Sequence, residues 1–279
     1  MDRKLFTKRI HQWVRLERIG GMLLVVLAVL AFQLVRLDGS AQADSVNWRD
    51  EFDQETLDPA WMWVNENPAN WSLTEAPGFL RITTSNTATG SENLLLRSVA
   101  PGDFVIKTRL LFEPGDNFQI AGLVIWQDAN NFLQFGRAFC DPGIPTCVGN
   151  GIYFDNIVDG QWTGVNFVTP VNSPNEAYLR LERRDNMVRA LFSYEGITWF
   201  EIGTHWIPGF TVAGVGLTAS QDWYTPDWDI PADFDFFELT EGWGFLPEGF
   251  HDFDSGNVPS WACNAGGWAA DPDDRAADL

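Results

Sequence analysis

Apolar and polar residues alternate, or apolar residues form short runs, along most of the chain from residue 44 to about residue 239. Between Phe104 and Phe112, apolar side chains and Thr108 occupy every second position, with Lys107 and Arg109 between them. We find no convincing recurrence at the three-and-four spacing that a helix requires. Gly, Pro, Asn and Asp separate the segments at intervals of about eight to twelve residues, which is typical of a β-sandwich. We therefore predict an all-β fold of two antiparallel sheets.

Several segments predict individual strands, and two of the connections predict tight turns. Tight turns are expected at Asp185-Asn186 and at Glu195-Gly196, where small or polar residues join two alternating runs. The stretch is long enough to bury a sizeable core. The strands are expected within residues 104–112, 122–126, 131–135, 178–183, 188–194, 199–202, 212–219 and 234–239.

The first 43 residues have the composition of an export signal. Basic side chains are frequent in residues 3–18, an apolar run follows in residues 21–35, and the segment ends in Ala41-Gln-Ala43. These three features are typical of a secretory signal peptide, and the run is short for a membrane span of about 20 residues. An uncleaved membrane anchor is the alternative. In both cases we expect the rest of the chain to be secreted or to lie on the extracellular face of the membrane.

Composition and charge exclude several classes of partner. The 279 residues include 18 Lys and Arg against 38 Asp and Glu, a formal net charge of -20. Nucleic acids and anionic lipids need a positive surface, so we expect neither, and a membrane contact only through an uncleaved N-terminal segment. The 14 Trp residues are compatible with a neutral glycan as the partner. The sequence does not indicate an oligomeric state.

The cysteines predict one local disulfide. Cys140 and Cys147 bracket a turn-rich segment, and in an exported chain this spacing favours a bond between them. Zinc is the competing interpretation, but one cysteine pair without a nearby His supplies too few ligands. Cys263 is left as a free thiol or as half of a bond to another chain.

Residues 241–279 differ from the rest of the chain, because Gly, Trp and Asp occur there without alternation. We expect this tail to be poorly ordered or to belong to another module. The segment from Trp261 to Asp273 resembles the start of a repeated extracellular module of environmental bacteria. A truncated reading frame is therefore one hypothesis for the tail.

Six groups of motifs occur in order between residues 50 and 237. They are Asp50-Glu-Phe-Asp53 with Leu57-Asp-Pro-Ala-Trp61, Trp63 to Ile82, Asn93-Leu-Leu-Leu96, Phe118 to Asp128 with Gly136-Arg137, Leu179 to Arg183 with Ser193 to Gly196 and Trp199, and Ala232 to Phe237. Together they resemble the β-xylosidase C-terminal domain of family 43 glycoside hydrolases. The resemblance implies a concanavalin A-like jelly-roll sandwich over residues 44–240.

The resemblance also has implications for function. Family 43 enzymes carry their catalytic residues in a separate propeller that precedes the sandwich, whereas here only the export segment precedes it. We therefore expect a non-catalytic module that binds a plant- or microbe-type polysaccharide such as xylan. One alternative is a glycoside hydrolase that uses carboxylates among Glu51, Asp53, Asp222 and Asp235. A structural or adhesion module of the cell surface is a third hypothesis. His205 is expected to be a strand or loop residue and not a catalytic base.

Sugars stack on aromatic rings and form hydrogen bonds with amides and guanidinium groups. The tryptophans with polar neighbours are the better candidates for such stacking, namely Trp71, Trp126, Trp162 and Trp223. We expect Trp61 and Trp63 in the core and Trp199 in a structural role. The resemblance implies that the concave sheet presents Gln119, Asn131, Gln134 and Arg137 to the glycan.

A structural calcium ion that joins the first strand to the last is common in related sandwiches, and the resemblance implies one here. The matching positions are Asp50 to Asp53 and Asp233 to Asp235. Alternation places both Asp233 and Asp235 on the outer face if Phe234 and Phe236 face the core. Calcium prefers carboxylate and carbonyl oxygens, so we expect Glu51 and Asp235 as ligands. Ordinary surface acidity is the alternative.

Overall fold

The computed structural model describes residues 48–85, 92–163, 166–169, 174–221 and 229–242. The predictions for the export segment, for nearly all of the tail, and for Trp223 and Asp222 lie outside the described residues. Within the described part, there is no helix long and apolar enough to cross a membrane.

Strands dominate the described residues, which contain no helix, as the alternating pattern predicts. The strands are β1 (Trp48–Asp50), β2 (Trp61–Val64), β3 (Trp71–Ser72), β4 (Leu80–Thr83), β5 (Leu94–Arg97), β6 (Phe104–Phe112), β7 (Gln119–Asp128), β8 (Asn131–Cys140), β9 (Gly149–Val158), β10 (Gln161–Trp162), β11 (Phe167–Thr169), β12 (Glu176–Arg184), β13 (Met187–Ser193), β14 (Phe200–Trp206), β15 (Gly214–Gln221) and β16 (Pro231–Glu241).

The strands form two antiparallel sheets. The first sheet has the order β14-β13-β12-β6-β16-β4-β3, and β1 pairs with β16. The second sheet has the order β10-β9-β8-β7-β15-β5-β2, and β11 pairs with β9. Several neighbours within a sheet are distant in sequence, such as β6 and β16 or β7 and β15, so the chain crosses repeatedly from one sheet to the other. The predicted two-sheet sandwich is confirmed.

Side chains that alternate along the strands fill the space between the sheets. In β6, Ile106 and Leu110 are fully buried in this core, as the pattern predicts, and Thr108 is buried between them. The Thr108 hydroxyl donates a hydrogen bond to the Phe236 carbonyl at 2.6 Å, which satisfies its polar group. Trp61 is also buried in this core, and Trp63 packs against it, as expected.

The register of β16 differs from simple alternation. The pairing between β16 and β6 shifts between Phe234 and Phe236, so Asp235 is the extra residue of a β-bulge. Phe234 and Phe237 therefore occupy the core, whereas Phe236 lies outside the main core cluster with the Arg49 guanidinium 3.8 Å from its ring centre. Simple alternation therefore does not apply to Phe236, which is buried but separate from the core cluster, because the bulge breaks the two-residue period at this point.

Candidate functional site

A row of large apolar side chains crosses the outer face of the second sheet. Backbone pairing aligns Trp126 of β7 with Phe132 of β8, Phe132 with Ile157 of β9, and Ile157 with Trp162 of β10. Directly paired residues of antiparallel strands point to the same side of a sheet. Neighbouring core residues on these strands point the other way, towards the first sheet. We call these four residues the aromatic row.

The aromatic row combines buried and accessible rings. The Trp162 side chain is 53% exposed, and Trp126 and Phe132 are half-buried. The rings of Trp126 and Phe132 stack with their centres 5.4 Å apart. Trp126 and Trp162 lie on the first and the last of four adjacent strands. Because neighbouring strands are about 4.8 Å apart, the two tryptophans are about 14 Å apart across the sheet. The row is therefore long enough to contact several units of an extended polymer.

Two polar turns border the aromatic row. The turn between β7 and β8 follows Trp126, and the turn between β9 and β10, at Asp159 and Gly160, precedes Trp162. The turns are joined by hydrogen bonds from the Gly160 amide to the Asn130 carbonyl at 2.8 Å and from the Asp159 amide to Asn131 Oδ1 at 3.0 Å. Amide and carboxylate groups thus lie beside the accessible rings.

Asp128 anchors the first of these turns. Its carboxylate accepts hydrogen bonds from the Asn130 backbone amide at 2.8 Å and from Asn131 Nδ2 at 2.9 and 3.0 Å. The Asn130 amide, followed by the Asn131 side chain, lowers the pKa of Asp128 below its ordinary value. The carboxylate therefore stays ionised at neutral pH and remains an acceptor.

A polar group lies next to the row in the middle of the same face. Gln134 of β8 is buried and donates from Nε2 to the Ser220 hydroxyl of β15 at 3.3 Å. Asp155 pairs with Gln134 across the strands and is buried as well. Of the predicted glycan ligands, the structure therefore brings Trp126, Trp162 and Gln134 to one face, whereas Asn131 lies in the turn at its edge, where it contacts Asp128 and the Asp159 amide.

Three predicted glycan ligands lie elsewhere. Gln119 is buried, and its Oε1 accepts the backbone amides of Gly115 and Asp116 at 2.9 and 3.0 Å, so it holds the loop before β7. Trp71 belongs to the first sheet and packs on Trp63, with ring centres 4.9 Å apart. Both positions are explained by structural contacts.

Arg137 is the third of these residues. Its register partners, Ala121 and Ile152, are core residues, and the side chain is only 2% exposed. Its guanidinium donates to the carbonyls of Pro174 and Ala138 at 3.2 and 3.1 Å. Burial lowers the pKa of Arg137 to about 10. The structure does not bring Arg137 to the outer face of the sheet.

The predicted calcium ligands each contact an arginine. Glu51 accepts from Arg49 at 2.6 Å, and Asp235 accepts from Arg109 at 3.1 Å. Among the described residues, no group of three or more His, Cys, Asp and Glu side chains is arranged to hold a metal. These carboxylates do not fit a calcium site in this arrangement, because guanidinium groups occupy the positions next to their oxygens.

The two cysteines of the predicted disulfide are neighbours at the end of β8. Their sulfur atoms are in contact, and the Cα atoms are 5.2 Å apart, within the range of a disulfide. The disulfide stays a prediction until the oxidation state is measured.

Strand register accounts for the two row residues that the sequence analysis missed, Phe132 and Ile157. Only the pairing of Phe132 with both Trp126 and Ile157 places these two residues in the aromatic row. Trp162 is singled out by its polar neighbour, but its alignment with Trp126 across four strands depends on pairings that one sequence does not display.

Comparisons with known proteins agree with this architecture. The family model for the beta-xylosidase C-terminal concanavalin A-like domain matches residues 49–240. A xylan 1,3-beta-xylosidase from a Vibrio species is 28% identical over 165 residues, which cover 56% of this chain and 29% of that protein. A putative beta-xylosidase from Escherichia coli K12 is 27% identical over 215 residues, or 68% of this chain and 38% of that protein.

The fold is also similar to a solved structure. The crystal structure of the GH43 protein BlXynB from Bacillus licheniformis has a TM-score of 0.59 and 22% identity, over 72% of this chain and 40% of that one. The matched part of the chain thus spans well under half the length of these relatives. Because the family model covers most of the chain, this protein belongs to the family of beta-xylosidase C-terminal concanavalin A-like domains.

Proposed function

We propose that this sandwich binds a neutral plant- or microbe-type polysaccharide such as xylan, without hydrolysing it, outside the cell. The aromatic row is the observation that carries the proposal. It offers an accessible indole at Trp162, a second, half-buried one at Trp126, and polar turns along the same edge. Apolar rings next to a few placed polar groups are the usual composition of a ligand site.

The charge of the chain supports a neutral ligand. With a net charge of -20, the molecule as a whole disfavours binding of polyanions. The carboxylate of Asp128 adds a local negative charge beside the row, where a sugar hydroxyl can donate to it. A neutral polymer of hydroxyl groups is therefore favoured over an acidic one.

The contacts of the candidate catalytic carboxylates support a role without hydrolysis. A retaining or inverting glycosidase needs two carboxyl groups that flank one bond of the substrate. In this chain Glu51 and Asp235 are each paired with an arginine, and Asp53 is exposed and accepts a hydrogen bond from its neighbour Gln54. None of these three lies on the face of the aromatic row.

Export is part of the proposal and rests on the sequence of the N-terminal segment. Basic residues, an apolar run and an Ala-x-Ala ending precede the sandwich. A polysaccharide of plant or microbial walls is found outside the cell, so the location and the proposed ligand agree.

The proposal is tested by affinity electrophoresis of the protein in gels that contain soluble xylan, together with an assay for reducing sugars. We expect the wild type to be retarded without releasing sugar. The substitution Trp162→Ala removes the most accessible ring of the row and is expected to weaken retardation about tenfold, a loss of about 1.4 kcal/mol.

Trp206→Ala is the matched control. Trp206 lies in the first sheet and is 37% exposed, so its replacement removes an accessible indole from a different face. Equal retardation of the wild type and Trp162→Ala would show that the row does not bind xylan. Sugar release that Glu51→Gln abolishes would favour the hydrolase hypothesis instead.

A further inference from the structure

A separate pocket of about 350 Å³ opens on the outer face of the first sheet. This is the opposite face of the sandwich from the aromatic row, which lies on the second sheet. The floor is formed by Lys107 of β6, Tyr178 of β12, and Phe236 and Glu238 of β16. The volume of the pocket is at the lower end of the range of small-molecule sites, about 300 to 1,000 Å³.

The loop between β13 and β14 forms one wall of the pocket. Gly196 lies directly on the ring of Tyr178, because a Cβ atom there would be 3.0 Å from two ring carbons, and its φ is +80°. The Ser193 hydroxyl accepts the amides of Glu195 and Gly196 at 3.3 and 2.9 Å. These contacts hold the loop against the sheet, and the loop places Trp199 at the rim of the pocket.

The aromatic rings of the pocket are therefore fixed in position. Trp199 lies beside Arg180, whose guanidinium carbon is 5.7 Å from the ring centre. Tyr178 has the Arg109 guanidinium carbon 5.9 Å from its ring centre. Both rings are only half-buried, so part of each remains accessible from the pocket.

Most charges of the lining are paired, either with each other or with side chains next to the pocket. Glu238 accepts from Arg49 at 2.8 Å and from Lys107 at 2.9 Å. Burial alone would raise the pKa of Glu238, but the two cations lower it below its ordinary value, so the carboxylate stays ionised. Asp235 is paired with Arg109 at 3.1 Å.

Glu195 is the remaining acid of the lining, and it is exposed. Its Oε1 accepts the Thr198 backbone amide at 2.9 Å. Hydrogen bonds from Thr198, first through its side chain and then through its amide, lower the pKa of Glu195. The pocket thus holds both donors and acceptors without an uncompensated positive charge.

This composition discriminates between ligand classes. The lining carries three carboxylates and the two cations Arg49 and Lys107, so an anion and a simple cation would each meet like charges next to opposite ones. A neutral polyhydroxylated ring has hydroxyls that donate to the carboxylates and accept from the cations, and C–H faces that pack on the aromatic side chains. We propose that this pocket is a second glycan site, which binds one or two neutral sugar units.

This inference rests on the proposed function, because both faces are argued to bind the same class of ligand. Two sites on opposite faces cannot contact one short oligosaccharide at the same time. Each chain would therefore bind two glycan molecules and would link two strands of a polysaccharide, with a gain in avidity on a dense wall.

Isothermal titration calorimetry with xylohexaose tests the inference. We expect two molecules bound per chain for the wild type, and one for Trp199→Ala, which removes the accessible indole at the rim of the pocket. Trp162→Ala is expected to lose the other site and keep the pocket. The double variant is expected to bind neither.

The outcomes separate the two sites. Unchanged stoichiometry and affinity in Trp199→Ala would overturn the second site and leave the aromatic row standing. Loss of all binding in Trp199→Ala, with no effect of Trp162→Ala, would overturn the proposed row and support the pocket. Absence of any binding by the wild type would overturn both.

Trp199→Phe is the control for a folding defect in Trp199→Ala, because phenylalanine keeps an aromatic ring, although a smaller one, at the rim of the pocket. It is expected to weaken the pocket site less than Trp199→Ala, and Trp206→Ala is expected to keep both sites. Thermal unfolding of each variant confirms that the sandwich is intact. A Trp199→Phe variant that unfolds like the wild type and binds two molecules with unchanged affinity would contradict the proposal.

Discussion

His205 shows how one buried polar residue depends on its surroundings. Its ring lies between Phe154 and Phe167, with ring centres 4.4 and 5.0 Å away, and its Nε2 is 3.2 Å from the Phe154 carbonyl. Burial lowers the pKa of His205 to about 4, and the carbonyl only partly opposes this change. The residue is therefore neutral in the folded protein at pH 7, where Nε2 donates to the carbonyl. This position agrees with the expectation that His205 is a strand residue.

We predict that His205 makes the folded state less stable in acid. In the unfolded chain a histidine has a pKa of about 6.5, so between pH 6.5 and pH 4 the unfolded state binds a proton that the folded state does not. The contribution of neutral His205 to the free energy of unfolding is complete above pH 6.5 and is lost as the pH falls towards 4. From pH 7 to pH 5 the loss is about 2 kcal/mol.

Urea unfolding of the wild type and of His205→Gln at both pH values measures this effect. The glutamine amide can still donate to the Phe154 carbonyl but does not titrate. We expect the free energy of unfolding of the variant to fall about 2 kcal/mol less than that of the wild type. Parallel losses in the two proteins would assign the pH dependence to other groups.

The burial of a side chain was predictable from the sequence where it follows from alternation. It was less predictable where it depends on a hydrogen-bond partner from another part of the chain. The buried positions of β6 followed from their period, and the core positions of Trp61 and Trp63 followed from the family resemblance. Arg137 had no such signal, because a charged residue in a strand is normally placed outside. Its guanidinium is buried because it donates hydrogen bonds to the backbone carbonyls of Pro174 and Ala138.

At the scale of elements, strands were predictable and their register was not. The alternating segments predicted most of the long strands and the tight turn at Asp185-Asn186. They did not predict β9, and residues 194–199 form a longer loop instead of the second predicted tight turn. The bulge at Asp235 depends on the pairing of β16 with β6, which lie far apart in the chain. The aromatic row depends on the register of the four consecutive strands β7 to β10. A slip of one residue would move each side chain to the other face, and a single sequence does not display the partner strand.

Close approach of β7 and β8 makes one glycine essential to that register. A Cβ atom on Gly136 would lie 2.0 Å from the carbonyl oxygen of Ala121, which belongs to the backbone of the neighbouring strand. The two strands would have to separate to accommodate it. We predict that Gly136→Ala lowers the free energy of unfolding by about 3 kcal/mol.

Gly115→Ala is the matched control, because a Cβ atom there has no neighbour within 4 Å. We expect its stability to change by less than about 0.5 kcal/mol. Urea unfolding curves of the three proteins, compared at constant pH, measure both values. A Gly136→Ala variant as stable as the Gly115→Ala variant would mean that the strands lie farther apart than described.

At the scale of the whole molecule, the two sheets leave two different outer faces. The second sheet presents an apolar row bordered by polar turns, and the first presents paired charges around aromatic side chains. Both combine rings with hydrogen-bonding groups, and neither carries an excess of positive charge. Family membership gives the context of carbohydrate-active proteins, and the proposal assigns a glycan site to each of the two faces.

The overall charge leads to a last prediction about ionic strength. If rings and hydrogen bonds hold a neutral xylan, its affinity should change by less than about twofold between 0.05 and 0.5 M NaCl, because screening acts only between charges. A polyanion such as polygalacturonate should not bind at low salt, since the chain carries a net charge of -20. Affinity electrophoresis in gels containing each polymer measures both. A steep loss of xylan binding with added salt, or retardation by polygalacturonate at low salt, would mean that a cationic patch holds the ligand, and both glycan sites would have to be reconsidered.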